Sequence, residues 1–123
     1  MQLHYRSYGE GQPLIIIHGL FGMSDNWKTI AKQLAAHFMV FIVDLRNHGR
    51  SPHHDDMSYP IMAQDINQFM EDNWIFNAHI IGHSMGGKVA LHLLDQFPDK
   101  INRLCIVDIA PVEYVGNHQA IFD

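Results

Sequence analysis

The segment Gly82-His83-Ser84-Met85-Gly86-Gly87 constrains this chain more than any other stretch. It fits G-x-S-x-G, follows the apolar run Ala78-His79-Ile80-Ile81 and precedes a helical pattern from Lys88 to Phe97. A serine in that context sits on a sharp strand-to-helix turn, a nucleophile elbow. Small residues are needed two positions either side of it, because the turn is tight and neighbouring backbones come close. The turn lifts the Ser84 hydroxyl clear of the main chain, and the first helical amides favour negative charge developing beside it. The strand before and the helix after give the short pattern its weight.

A second segment points the same way. Pro13-Leu14-Ile15-Ile16-Ile17 reads as a buried strand, and His18-Gly19-Leu20-Phe21-Gly22 follows at its C-terminal end. An acyl-transfer site takes one oxyanion donor from the residue after the nucleophile and another from an earlier strand-to-helix loop. The amides of Met85 and Leu20 occupy those two places, and Gly19 and Gly22 let the loop bend back toward the tetrahedral oxygen. Losing one such donor typically costs about 3 kcal/mol of barrier. The plainer alternative is that His18-Gly19 merely ends a strand.

Further stretches carry a family resemblance: Asp44-Leu45-Arg46-Asn47-His48-Gly49-Arg50-Ser51, Met57-Ser58-Tyr59, Gly82 through Lys88, and Asp108-Ile109-Ala110-Pro111-Val112. With the His18 segment they span nearly the whole chain. The chain resembles the N-terminal half of an α/β-hydrolase and is most similar to the YbfF-type esterases. The resemblance implies a carboxylic-ester or thioester hydrolase working through an acyl-enzyme. It implies that residues 1–123 are the N-terminal part of a single domain, ending where a cap segment begins.

The rest of the pattern fits an α/β fold, a mostly parallel sheet with helices on both faces in three layers. Leu14–Ile17, Val40–Val43, Ala78–Ile81 and Leu104–Val107 are short apolar runs, as expected of strands covered on both sides. Leu3–Tyr8 reads as an edge strand. Three helical faces lie between: Trp27, Ile30, Ala31 and Leu34, capped by Ser24 or Asp25; Met62, Ile66, Phe69 and Met70, with Pro60 in the first turn; and Val89, Ala90, Leu93, Leu94 and Phe97, stopped by Pro98. His18-Gly19-Leu20, Asp44, Ser84 and Asp108 each follow a strand, so one edge of the sheet collects the informative residues.

A serine hydroxyl needs a base within hydrogen-bond reach, usually a histidine held by a carboxylate. In this family the chain order is Ser, then acid, then His. Asp108 is the preferred acid, at the end of the strand after the nucleophile's helix; the alternative is an acid one strand later, as the resemblance to other superfamily members allows, with Asp108 capping a turn before Pro111. No histidine is convincing as base. His92 and His37 fall on helical stretches, as surface or packing residues; His83 precedes the nucleophile in the turn, and His118 is the least implausible. The resemblance places the base beyond residue 123. The expectation is therefore a chain nearly inactive alone, completed by its missing C-terminal half or by self-association through an apolar sheet edge left bare at Leu104–Val107. Asp44, Arg46 and His48 are expected to organise their loop, with substrate binding a secondary possibility for Arg46 and His48. Phe21, Met23 and Trp27 either line an acyl pocket or, for Trp27, pack into the core. His18, Gly19, His83 and Gly86 are supporting residues of the site.

Composition narrows the remaining classes. A length of 123 residues suits one small core, and 47% apolar with 17% charged residues is ordinary globular composition. A net charge of −5 without a basic cluster argues against a nucleic-acid partner. Neither a signal peptide nor a membrane-length apolar run is present, so a cytoplasmic protein without a membrane association is expected. The single cysteine, Cys105, lies in an apolar run and is expected to pack as a small hydrophobe. His53-His54-Asp55-Asp56 lacks zinc-like spacing and reads as a solvated loop. No metal and no organic cofactor is expected, and the partner is a small-molecule acyl ester or thioester. Two alternatives stand beside the hydrolase: a non-catalytic binding protein of the same fold, and a phosphate-binding loop on Gly82-x-x-x-x-Gly87-Lys88. The latter lacks the hydroxyl that binds magnesium, because Val89 follows.

Overall fold

The computed structural model describes residues 2–18, 28–46, 51 and 58–108, together with the strand backbone of 118–122. The elements in chain order are β1 (Tyr5–Tyr8), β2 (Gln12–Ile17), α1 (Lys28–Leu34), β3 (Phe38–Val43), α2 (Tyr59–Asp72), β4 (Ala78–His83), α3 (Met85–Gln96), a 3-10 turn at Pro98–Lys100, β5 (Ile101–Asp108) and β6 (His118–Phe122). They form a six-stranded sheet in the order β1-β3-β2-β4-β5-β6. β2, β3, β4 and β5 run parallel, while β1 and β6 are antiparallel to their neighbours.

The apolar runs become strands because alternate side chains feed two cores. Ile15 and Ile17 of β2 and Phe41 and Val43 of β3 point into the larger core with α2 and α3. Leu14 and Ile16, with Val40 and Ile42, point the other way, against Ala31 of α1. A strand buried on both faces has no polar alternation to show, which is why its sequence reads as one apolar run. α2 is held by the stripe Met62, Ile66, Phe69 and Met70, all buried. The Phe69 ring lies 5.0 Å from Tyr5 and 5.6 Å from Phe41, edge to face. Pro60 sits in the first turn of α2, where its missing N–H costs nothing. Val89, Ala90 and Leu93 of α3 are buried, and Pro98 follows the end of the helix.

Three expectations are corrected. The edge of β5 is not bare: β6 pairs along it from Leu104↔Phe122 to Asp108↔His118, satisfying backbone groups that Leu104–Val107 would otherwise expose. Ile30, placed on the buried face of the first helix, is 43% exposed. α1 is a single short helix lying over β3, and only its Ala31 is fully buried against the sheet. His37 stands in the exposed turn after α1 rather than on a helix. Trp27 and its cap candidates, with Phe21 and Met23, lie outside the described residues, as does the His53–Asp56 cluster. Among the described residues no helix is long and apolar enough to cross a membrane.

Candidate active site

β4 runs straight into α3 with one residue between them. That residue is Ser84, with φ 55 and ψ −116, and it is exposed. A non-glycine residue in this region costs about 1–3 kcal/mol and persists only when its surroundings hold it. The holding is visible. The Ser84 N–H donates to the Val107 carbonyl of β5 at 3.0 Å, and the Gly87 N–H donates to the Ser84 carbonyl at 2.9 Å. One residue of turn leaves no loop that could wrap a phosphate, so the phosphate-binding reading of Gly82–Lys88 is not supported. Lys88 instead lies 5.8 Å from the ring centroid of Tyr59.

The glycines around Ser84 are steric necessities. A Cβ on Gly82 would stand 2.7 Å from the Gly86 carbonyl oxygen and from Gly87 Cα. One on Gly86 would stand 2.0 Å from the Ile17 oxygen and 2.4 Å from the His18 oxygen. The first turn of α3 is therefore seated directly on the C-terminal end of β2. Gly86→Ala is expected to lose about 1–3 kcal/mol in chemical denaturation, because backbone must move to admit the methyl. A variant as stable as the parent would show that this contact is not tight.

A buried polar belt joins the ends of β1, β2 and β3 to α2. His18 is fully buried, and its Nε2 accepts the Leu45 N–H at 3.1 Å. The Asp44 carboxylate lies 4.0 Å from Nε2, beyond hydrogen-bond range. Asp44 itself is buried, and its N–H donates to the His4 carbonyl at 2.9 Å. Ser51 Oγ donates to the Asp44 carbonyl and accepts the His4 N–H. Arg46 makes a two-pronged pair with Asp65 of α2, Nε to Oδ2 at 2.6 Å and Nη2 to Oδ1 at 2.9 Å. Asp44 and Arg46 thus act as scaffold, while His48 lies outside the described residues. Ser51 closes the Asp44–Ser51 stretch that carried the resemblance, whereas Asp65 escaped the sequence reading. Asp65 sits three residues after Met62, on the buried stripe, and a carboxylate in that position is the signal that a buried cation awaits it.

His83, the last residue of β4, is half-buried, and burial lowers its pKa from the ordinary 6.5. The unfolded chain then binds the proton more readily than the folded one, so stability rises with pH across the window between the two values. It is complete above about pH 6.5 and declines as pH falls below that, levelling once the folded pKa is passed. Denaturation midpoints between pH 5 and 7.5 are expected to follow this slope in the parent and to lose it in His83→Asn. An unchanged slope would assign the effect to other groups.

The remaining site residues are reached through backbone alone or not at all. Leu20 and Gly19 lie outside the described residues, as does the side chain of Asp108. The backbone of Asp108 ends β5, one step beyond Val107, which pairs with His83. Across the other edge Asp108 is the register partner of His118. Strands about 4.8 Å apart put Ser84 and His118 roughly two strand widths from each other, with Asp108 between. A relay needs the imidazole between serine and carboxylate, so this register does not favour His118 as the base. His92 packs on Tyr59, ring centroids 6.0 Å apart. Among the described residues no group of three His, Cys, Asp or Glu side chains could hold a metal ion.

A strand-turn-helix serine at the C-terminal ends of parallel strands, its helix seated against the end of β2, is the architecture of one family. Residues 12–121 match the model of the alpha/beta hydrolase fold, and the chain belongs to that family. It is 44% identical over 111 residues to "Esterase YbfF" of Escherichia coli (strain K12), covering 89% of this chain and 44% of that protein. It is 46% identical over 107 residues to "sn-1-specific diacylglycerol lipase ABHD11" of Xenopus laevis, covering 85% of this chain and 34% of that one. Among solved structures, "Marine microorganism esterase" superposes with a TM-score of 0.86 at 50% identity, over 94% of this chain and 44% of that one. The chain spans less than half the length of these relatives.

Proposed function

We propose that this chain carries the nucleophile half of a serine hydrolase acting on carboxylic esters or acyl thioesters. The observation that carries the reading is Ser84: exposed, held at φ 55, and placed at the N-terminus of α3. Its Oγ attacks the acyl carbonyl while its proton passes to a base. The tetrahedral oxyanion accepts hydrogen bonds from the Met85 and Leu20 amides. Met85 begins α3, so its N–H is among those without an intrahelical acceptor. Collapse expels the alcohol or thiol, which takes up the proton, and water then releases the acid from Ser84. Asp108 is the carboxylate that orients the base, and the base belongs to polypeptide outside these residues. The names of the relatives, an esterase and a diacylglycerol lipase, support an acyl ester as substrate. A binding protein of the same fold has no use for strain at one serine, which favours the hydrolase.

Intact-mass spectrometry after treatment with a fluorophosphonate tests this. The expected result is a stoichiometric adduct on Ser84 once the polypeptide supplying the base is present, and labelling slower by orders of magnitude in the chain alone. Modification elsewhere, or none in the complemented protein, would overturn the assignment. Rapid full labelling of a lone monomer would place the base within the chain instead.

A further inference from the structure

α3 turns one stripe to solvent. Ser84, Lys88, Leu91 and Asp95 are exposed, while Val89, Ala90 and Leu93 are buried. The serine and Lys88 therefore share a face, one turn and about 6 Å apart along the helix axis. Lys88 meets Tyr59, the first residue of α2, with its Nζ 5.8 Å from the ring centroid. His92, a further turn along α3, stacks on the same ring at 6.0 Å. Tyr59 also packs against the larger core, which fixes the ring in place. It closes the Met57-Ser58-Tyr59 stretch, which the chemistry at Ser84 leaves without a role.

Helix stability does not ask for a cation here. Cations oppose the dipole near a helix N-terminus, and neither α2 nor α3 carries an acidic residue in its first turn. Of the α2 carboxylates, Asp65 is committed to Arg46 and Glu71 to Lys100. The ion pairs among the described residues leave Lys88 out. An exposed ammonium is held weakly over a ring, and an ammonium–carboxylate hydrogen bond is stronger. The Tyr59 ring thus limits where the ammonium rests and leaves its donors to a better partner.

We infer that Lys88 reads a negative charge on the substrate: the ester or thioester attacked by Ser84 carries a carboxylate, to which the Lys88 ammonium donates. This rests on Ser84 as the nucleophile and adds the class of substrate it takes. A single lysine matches the single charge of a carboxylate. Side chains on a helix lean toward its N-terminus, and the lysine stem is flexible, so the ammonium swings from Tyr59 toward the Ser84 end. A separation of about 6 Å sets the anion several bonds from the reacting carbonyl. Lys88 selects the substrate and takes no part in bond making; Tyr59 positions it.

Matched esters read this in the base-complete enzyme. Mono-p-nitrophenyl adipate carries its anion on the acyl side, and p-nitrophenyl hexanoate is its neutral counterpart. The pair m-carboxyphenyl acetate and phenyl acetate moves the difference to the leaving group. For one pair, the anionic-to-neutral ratio of kcat/KM is expected to fall at least tenfold in Lys88→Gln and to return in Lys88→Arg. The pair that responds identifies the side bearing the anion. Ratios that do not move, or equal losses on both members of each pair, overturn the inference. Fluorophosphonate capture on the same proteins keeps the two readings apart, since a missing adduct at Ser84 counts against the hydrolase. The same esters titrated into the Ser84→Ala protein need no turnover. There an anionic preference of at least fivefold is expected, removed by Lys88→Gln, and equal binding of each pair overturns the inference whatever the fate of Ser84.

Discussion

Replacing Ser84 by alanine removes covalent capture and lowers ester turnover of the base-complete enzyme by about a million-fold, the loss typical of a serine nucleophile. Glycine at the same position abolishes turnover equally but is expected to stabilise the fold. Ser84 holds φ 55 against its own Cβ, and glycine has no such conflict. The strain relieved is about 1–3 kcal/mol, partly offset by the greater freedom of glycine in the unfolded chain, for a net gain of about 1 kcal/mol. Turnover of a chromogenic ester and a urea titration on the same two variants check both halves. A glycine variant less stable than the parent would mean that the serine side chain supports the turn rather than straining it.

Asp65→Ala is expected to destabilise the fold by about 3–5 kcal/mol, because it strands the Arg46 guanidinium in a buried setting. The pair is 2.6 Å and 2.9 Å long, and both partners are among the buried polar residues. Such a pair is worth far less than the cost of breaking it, since both charges gave up water to form it. The double variant Arg46→Met, Asp65→Leu should therefore recover most of what Asp65→Ala loses. Equilibrium denaturation of the single and double variants measures this as a coupling energy. Additive losses would show that the two side chains act separately.

The parallel strands were legible because burial on both faces leaves nothing but apolar residues in them, as Leu14–Ile17 and Val40–Val43 show. The elbow was legible because sterics force glycine at 82 and 86, where any side chain meets backbone. Ile30 misled because helical periodicity reports which residues share a face, not how far a seven-residue helix reaches over the sheet. β6 was hidden because His118–Phe122 has no strand-like alternation; its pairing follows from the open backbone groups of β5. The polar belt was mostly hidden too. Its bonds join residues far apart in sequence, such as His18 with Leu45 and Arg46 with Asp65, and only the fold reveals the partners.

The strand order also sets a timetable for assembly. β2 lies at the centre of the sheet, where Leu14 is registered with Val40 on one side and with His79 on the other. These are distant pairings, and chains dominated by them fold slowly, since loop closure must precede the reward. The nucleophile waits longest, because its own amide is bonded to Val107 of β5. During synthesis β2 and β3 leave the ribosome well before β4 and β5. In pulsed hydrogen exchange, the Ser84 amide is then expected to gain protection in the last phase, after the central strands have closed.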